Sequence, residues 1–159
     1  TPALSSAASD VYKRQVCVFV NASSEFIKES ISYFKDPLLQ FHGDETNQFC
    51  SSFKKDFWKV IHVKSIESID RIEEYPDASA ILLENYKKDQ FGGTGESFDW
   101  DIVKKANFSK KIVLSGGINV KNVDNAISTQ PWCIDINSGV ESSIGIKNIT
   151  LVNKILEKF

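Results

Sequence analysis

Short apolar runs rich in β-branched residues recur along the chain: VCVFV from Val16, LLQF from Leu38, KVIHV from Lys59, AILL from Ala80, KIVL from Lys111 and WCIDI from Trp132. Continuous runs of this length suit strands buried on both faces. Their starts are spaced 22, 21, 21, 31 and 21 residues apart, so one supersecondary unit repeats, with an insertion of about ten residues after the fourth run. The segments between carry apolar residues at spacings of three and four: Phe26, Ile27, Ile31 and Phe34; Phe49, Cys50, Phe53 and Phe57; Ile66, Ile69 and Ile72; Val120, Val123 and Ile127; Leu151, Val152, Ile155 and Phe159. Such spacing places one apolar stripe on each predicted helix. Ser24, Asp44 or Thr46, Ser65, Asp99 and Asn119 stand where each could accept from the orphan amides of a first helical turn.

Glycine and proline give the unit a polarity. All eight glycines follow strands, and Pro37, Pro76 and Pro131 stand between a helix end and the next strand. The glycines suit sharp turns and close backbone approach, and the prolines stop helices. Strand and helix in strict alternation leave an open doubly wound sheet or a closed (β/α)8 barrel. A near-constant unit with no long crossover favours the barrel, although six units do not close eight strands.

Composition narrows the class. The chain has 159 residues, 42% apolar and 25% charged, enough for one core of ordinary size. Its apolar runs fall far short of the ~20 residues that span a bilayer, so no membrane is expected as a partner. A net charge of −2, with Lys and Glu interspersed, offers no basic surface for nucleic acid. Three widely spaced cysteines, Cys17, Cys50 and Cys133, point to a reducing cytoplasm without a disulfide framework. Residues 1–15 are Ser- and Ala-rich, carry no secretion-signal core and read as a disordered leader before a patterned unit over 16–159.

In a barrel the chemistry sits at the C-terminal strand tips. Two successive loops there, Leu114-Ser115-Gly116-Gly117-Ile118 and Asn137-Ser138-Gly139-Val140-Glu141, have the small residues that let backbone amides close around an anion. Barrels recurrently bind phosphate after strands seven and eight, so the six runs correspond to the third to eighth strands. The inserted loop, Asn85 to Phe98, carries Gly92, Gly93 and Gly95 and suits a lid or binding element. Glu84 ends the fourth run, and His42 ends the second. His62 reads as a strand residue. Asp135 lies inside the last apolar run, where a carboxylate needs a partner or a ligand.

These strings resemble those of phosphoribosylanthranilate isomerases of tryptophan biosynthesis. Val16 to Asn21 resembles the family's V-G-V-F-V-N strand, and Gln40 to Glu45 resembles Q-L-H-G-x-E. Gly92-Gly93-Thr94-Gly95 with Phe98-Asp99-Trp100 resembles G-G-T-G-x-x-F-D-W. Leu114 to Ile118 with Asn122-Val123, and Asp135 to Glu141, resemble L-S-G-G-L-x-x-x-N-V and D-V-N-S-G-V-E. The resemblance implies an incomplete (β/α)8 TIM barrel of six β/α units and an Amadori rearrangement of an aminoaldose to an aminoketose, without metal or organic cofactor. It implies Glu84 at the position of the family's general acid, an Asp there. His42, Asp135, Gly92, Gly93 and Thr94 would contact the phosphosugar, and Gly116, Gly117, Ser138 and Gly139 its phosphate. The family's basic Cys, on the first barrel strand, has no counterpart in this sequence, and Cys17 matches a strand-interior Gly. The chain is therefore expected to self-associate and to lack turnover as it stands. A non-catalytic phosphosugar-binding barrel and a related enzyme such as indole-glycerol-phosphate synthase are the alternatives. Oligomeric state is not legible.

Overall fold

The computed structural model describes residues 14–85, 99–100, 102–103 and 109–159. Six strands, β1 (Val16–Phe19), β2 (Leu38–Phe41), β3 (Phe57–Val63), β4 (Ala80–Asn85), β5 (Ile112–Leu114) and β6 (Cys133–Ile134), form one sheet. Each pairs in parallel with the next in sequence, giving the order β1-β2-β3-β4-β5-β6. Sequential order has no switch point, which separates this sheet from a doubly wound one.

Two apolar clusters show which face carries the helices. The larger joins Phe41, Ile61, Ile81, Leu83 and Leu114 of the strands to Ile27, Cys50, Ile72, Val123, Ala126 and Ile155 of the flanking helical segments. The smaller contains Val60, Ala80, Leu82 and Val113, with Trp58 and Cys133 packed against it, and takes no helical residue. Alternate residues of each strand thus serve an outer, helix-covered face and an inner face lined by side chains alone. The result is a curled half-barrel, an incomplete (β/α)8 barrel.

Between the strands lie α1 (Ser24–Ile31), α2 (Asn47–Ser51), a 3-10 helix over Ile66–Glu74, α3 (Val123–Ser128) and a 3-10 turn over Ser138–Val140, and α4 (Ile149–Leu156) follows the last strand. Several details differ from the sequence expectation. Ser23, one residue before Ser24, caps α1 by accepting from the Phe26 amide at 3.3 Å. Of the two expected caps for α2, Thr46 and not Asp44 serves, accepting from the Phe49 amide at 3.2 Å as predicted. That helix stops early, because Lys54 adopts a left-handed φ of 53° and the chain turns into β3. Phe57 is therefore a strand residue, although it continues the Phe49–Phe53 spacing; its ring still meets Phe41 at 5.8 Å. The segment holding Ile66, Ile69 and Ile72 is 3-10 rather than α, in keeping with an apolar repeat of three residues. Asn119 does not begin a helix: its Oδ1 accepts from the Lys121 amide, and Asn122 precedes α3.

The strands are not all buried on both faces. Val16 and Val18 of β1 are 43% and 55% exposed, because β1 is a sheet edge whose inner face looks into the open side of the half-barrel. A short antiparallel hairpin, β7 (Glu141–Ser143) with β8 (Ile146–Lys147), follows β6 and was not anticipated. Residues 1–13 of the expected leader lie outside the described residues. Arg14 and Gln15 are held: the Arg14 guanidinium lies 3.4 Å from Asp36 and 3.0 Å from Asp56, and the Leu38 amide donates to the Gln15 carbonyl.

Candidate active site

The inner-face residues at the C-terminal strand tips converge on one cleft. Its volume is about 540 Å³, within the range of small-molecule sites. His42, Glu84, Gly116, Gly117, Asp135, Ser138 and Gly139, all predicted from sequence, line it. Gly92, Gly93 and Thr94 lie outside the described residues.

Glu84 is buried at the end of β4, and its Oε2 lies 2.7 Å from His42 Nε2. Parallel pairing sets His62 of β3 beside Glu84, with His62 Nδ1 4.0 Å from the same oxygen. His62 Nε2 lies 3.4 Å from the His42 carbonyl. A carbonyl only accepts, so that ring nitrogen carries the proton. Burial pulls the His62 imidazole below its ordinary value, more than its hydrogen bond to the His42 carbonyl raises it. On the neighbouring strand tip, the Ser115 hydroxyl donates to Asp135 Oδ2 at 3.0 Å. Burial pushes the Asp135 carboxyl above its ordinary range, the Ser115 bond opposes this, and the nearby Glu84 carboxyl adds to it.

The two glycine loops form the far wall. Gly116 and Gly117 have φ of 88° and 69°, a region that side chains disfavour. The Asn119 and Asn122 side-chain amides both donate to the Gly117 carbonyl, at 3.0 and 2.9 Å, and hold that loop in shape. A Cβ on Gly139 would stand 1.8 Å from the Ile118 carbonyl oxygen, so the second loop lies directly on the first. Consecutive small residues at such close quarters leave room for an anion beside backbone amides.

Sequence reasoning missed three groups here. His62 is indistinguishable in sequence from any strand residue, and only the strand register reveals that it shares the inner face with Glu84. Lys147 on the β7–β8 hairpin lines the cleft beside the second glycine loop, where it donates to the Asn137 carbonyl at 2.8 Å and to Glu141 at 2.7 Å. Lys59 and Glu45, 3.2 Å apart and almost wholly buried, lie under the loop that carries His42. Lys59 also donates to the Phe41 carbonyl at 3.3 Å and to that of Gly43. Glu45 accepts from the Asn21 amide at 2.7 Å and the Gly43 amide at 3.0 Å. Glu45 carried a signal in the string from Gln40 to Glu45; Lys59, a cation within an apolar run, carried one that was read only as a strand start.

The family model described as N-(5'phosphoribosyl)anthranilate (PRA) isomerase matches residues 3–158. The chain belongs to this family. Among curated PRA isomerases it is 38% identical over 143 residues to that of Hahella chejuensis, covering 89% of this chain and 67% of the relative. Against that of Legionella pneumophila strain Corby it is 40% identical over 144 residues, covering 89% of this chain and 69% of the relative. Its fold is similar to the crystal structure of the PRA isomerase from Thermotoga maritima, with a TM-score of 0.81 and 30% identity over 92% of this chain and 73% of that one. A PRA isomerase crystallised with reduced 1-(o-carboxyphenylamino)-1-deoxyribulose 5-phosphate is similar at a TM-score of 0.74 and 27% identity, over 92% of this chain and 71% of that one. Among the described residues no helix is long and apolar enough to cross a membrane.

Proposed function

We propose that this chain supplies the phosphosugar cleft and the general acid of an N-(5'-phosphoribosyl)anthranilate isomerase acting in the cytoplasm. The observation that carries the proposal is the buried Glu84 carboxyl, 2.7 Å from His42, in the same cleft as the two stacked glycine loops. In the rearrangement the acid gives a proton to the furanose ring oxygen as the C1′–O bond breaks, leaving a Schiff base. A base then takes the C2′ proton, and the electron pair moves toward the imine to give an enolamine that tautomerises to the ketone. The His42–Glu84 hydrogen bond holds a proton between Nε2 and Oε2, where Glu84 can deliver it. The phosphate is held at Gly116, Gly117, Ser138 and Gly139 by charge-assisted bonds from backbone amides. His42 and Asp135 contact the ribose.

No cysteine is among the described residues that line the cleft. Cys17 packs into the helix-side cluster, and Cys133 against the inner apolar cluster below Asp135. The 159-residue chain is therefore expected to bind the phosphosugar without turning it over. The test is a fluorescence titration with reduced 1-(o-carboxyphenylamino)-1-deoxyribulose 5-phosphate, beside a turnover assay that follows anthranilate fluorescence. Saturable binding by the chain, weakened more than about tenfold in G139A on the scale of lost charged hydrogen bonds, supports the reading. Absence of binding, or unchanged affinity in G139A, refutes it. Turnover by the chain would move the base to Asp135 or His42.

A further inference from the structure

The chain has two histidines in all, and both meet the same carboxylate. One ligand atom each of His42, His62 and Glu84, at the tips of three adjacent strands, lies within 4.8 Å of the other two, with His42 Nε2 2.7 Å and His62 Nδ1 4.0 Å from Glu84 Oε2. We propose that His42, His62 and Glu84 form a site for one divalent transition-metal ion of the zinc type, at the head of the cleft.

The donor set is two imidazoles and one carboxylate with an open side, the ligand complement of zinc sites that keep a position for solvent. Tetrahedral zinc with bonds of ~2.0–2.1 Å places its donors about 3.3 Å apart. The observed separations are 2.7 Å for His42–Glu84 and 4.0 Å for His62–Glu84, on either side of that value, and all three donors lie within 4.8 Å of one another. Side-chain rotation that draws the two imidazoles toward a common point closes the difference. Two imidazoles among three donors select zinc, cobalt or nickel over magnesium and calcium, which prefer oxygen.

The surroundings suit coordination as well. A histidine bound to a metal ordinarily donates its other ring N–H to an outer acceptor, which sets tautomer and orientation. His62 does this already: its Nε2 faces the His42 carbonyl, and its Nδ1 lies 4.0 Å from Glu84 Oε2. His42 Nδ1 lies 3.3 Å from the Gln40 side-chain amide. With the amide turned to present its oxygen, Nδ1–H donates to Gln40 and the Nε2 lone pair meets the ion. The proton that bridged His42 and Glu84 is released to solvent on coordination, and the charge of the ion is met by one carboxylate. Asp135 lines the same cleft and lies outside the ligand set.

This site stands on the three side chains alone and does not rest on the isomerase reading. If both hold, metal and phosphosugar compete, because the ion takes Glu84 and His42. The test uses the full 159-residue chain stripped with chelator, titrated with cobalt(II) and followed by visible d–d absorption, with zinc as competitor. Equilibrium dialysis gives stoichiometry, and NMR follows the two histidine ring signals. The expected result is one ion per chain and a tetrahedral cobalt spectrum. Both histidine signals should move with zinc and remain fixed with magnesium. H62Q and E84Q, checked by circular dichroism for folding, should each weaken binding more than about tenfold, a scale that loss of an outer partner alone can reach. Absence of the cobalt spectrum, unchanged affinity in folded H62Q, or a thiolate-to-cobalt charge-transfer band that puts the ion on a cysteine would each overturn the proposal. Phosphosugar binding measured on the metal-free chain reports separately on the isomerase reading.

Discussion

Replacing Lys59 by methionine tests how the loop bearing His42 is held. Lys59 and Glu45 have side chains only 1% and 3% exposed. Methionine keeps much of the stem volume and removes the charge. Glu45 would then keep the amides of Asn21 and Gly43 but lose its buried cation. The Phe41 and Gly43 carbonyls would lose a donor in the same step. Removing one partner of a buried ion pair destabilises by about 3–5 kcal/mol, against a total of about 5–15 kcal/mol for a domain. With a urea slope of about 2 kcal/mol/M, the denaturation midpoint should fall by about 1.5–2.5 M. The double variant E45Q/K59M removes both charges and should regain at least half of that loss, since the penalty arises chiefly from the orphaned carboxylate. The His42 ring signal should also broaden or shift in K59M, because the perturbed carbonyls flank it in sequence. A loss below about 1 kcal/mol, the scale of a solvent-exposed pair, would refute the argument, as would a double variant no more stable than K59M.

Two further outcomes follow from the cleft and the edge. Burial raises the Asp135 carboxyl, so its contribution to stability is full below the ordinary value of 3.8 and is lost as pH rises through the higher folded value. D135N should therefore gain stability relative to the parent at neutral pH and lose that advantage at acid pH; urea melts at both pH values that show a constant difference would contradict this. At the edge strand and just beyond its end, Val16, Val18 and Val20 are 43%, 55% and 42% exposed and line the cleft side. An apolar edge of this kind pairs with other chains, so the parent should elute from size exclusion as concentration-dependent oligomers and V18K should shift it toward monomer; a parent that is monodisperse at every concentration would sink the idea.

The strands were legible because each is a continuous apolar run, and the same property hid the parity of their residues. A run buried on both faces has no alternation to show which side chains look inward. His42 could be noticed as the residue before a glycine, while His62 could not be told from a structural strand residue until pairing set it opposite Glu84. Lys59 was legible as a position but not as a buried cation, since Glu45 is supplied by the loop of the preceding unit. The two glycine loops were recognisable from local composition, because a turn at positive φ and a close backbone contact both exclude larger residues. Asn119 failed as a helix start for a related reason: asparagine serves turns as readily as caps, and here Asn119 and Asn122 both bind the Gly117 carbonyl.

The strictly sequential pairing of β1 through β6 also bears on how the chain acquires its structure. Each strand finds its partner about twenty to thirty residues along the chain, across one helical connection. Contact order is therefore low for a parallel sheet, and the entropy of closing each loop is nearly the same. During synthesis, β1 and β2 can pair as soon as the second unit leaves the ribosome, and each later strand adds to an edge already formed. The two glycine loops follow β5 and β6, so in this order the far wall of the cleft forms only after the first four strands have paired.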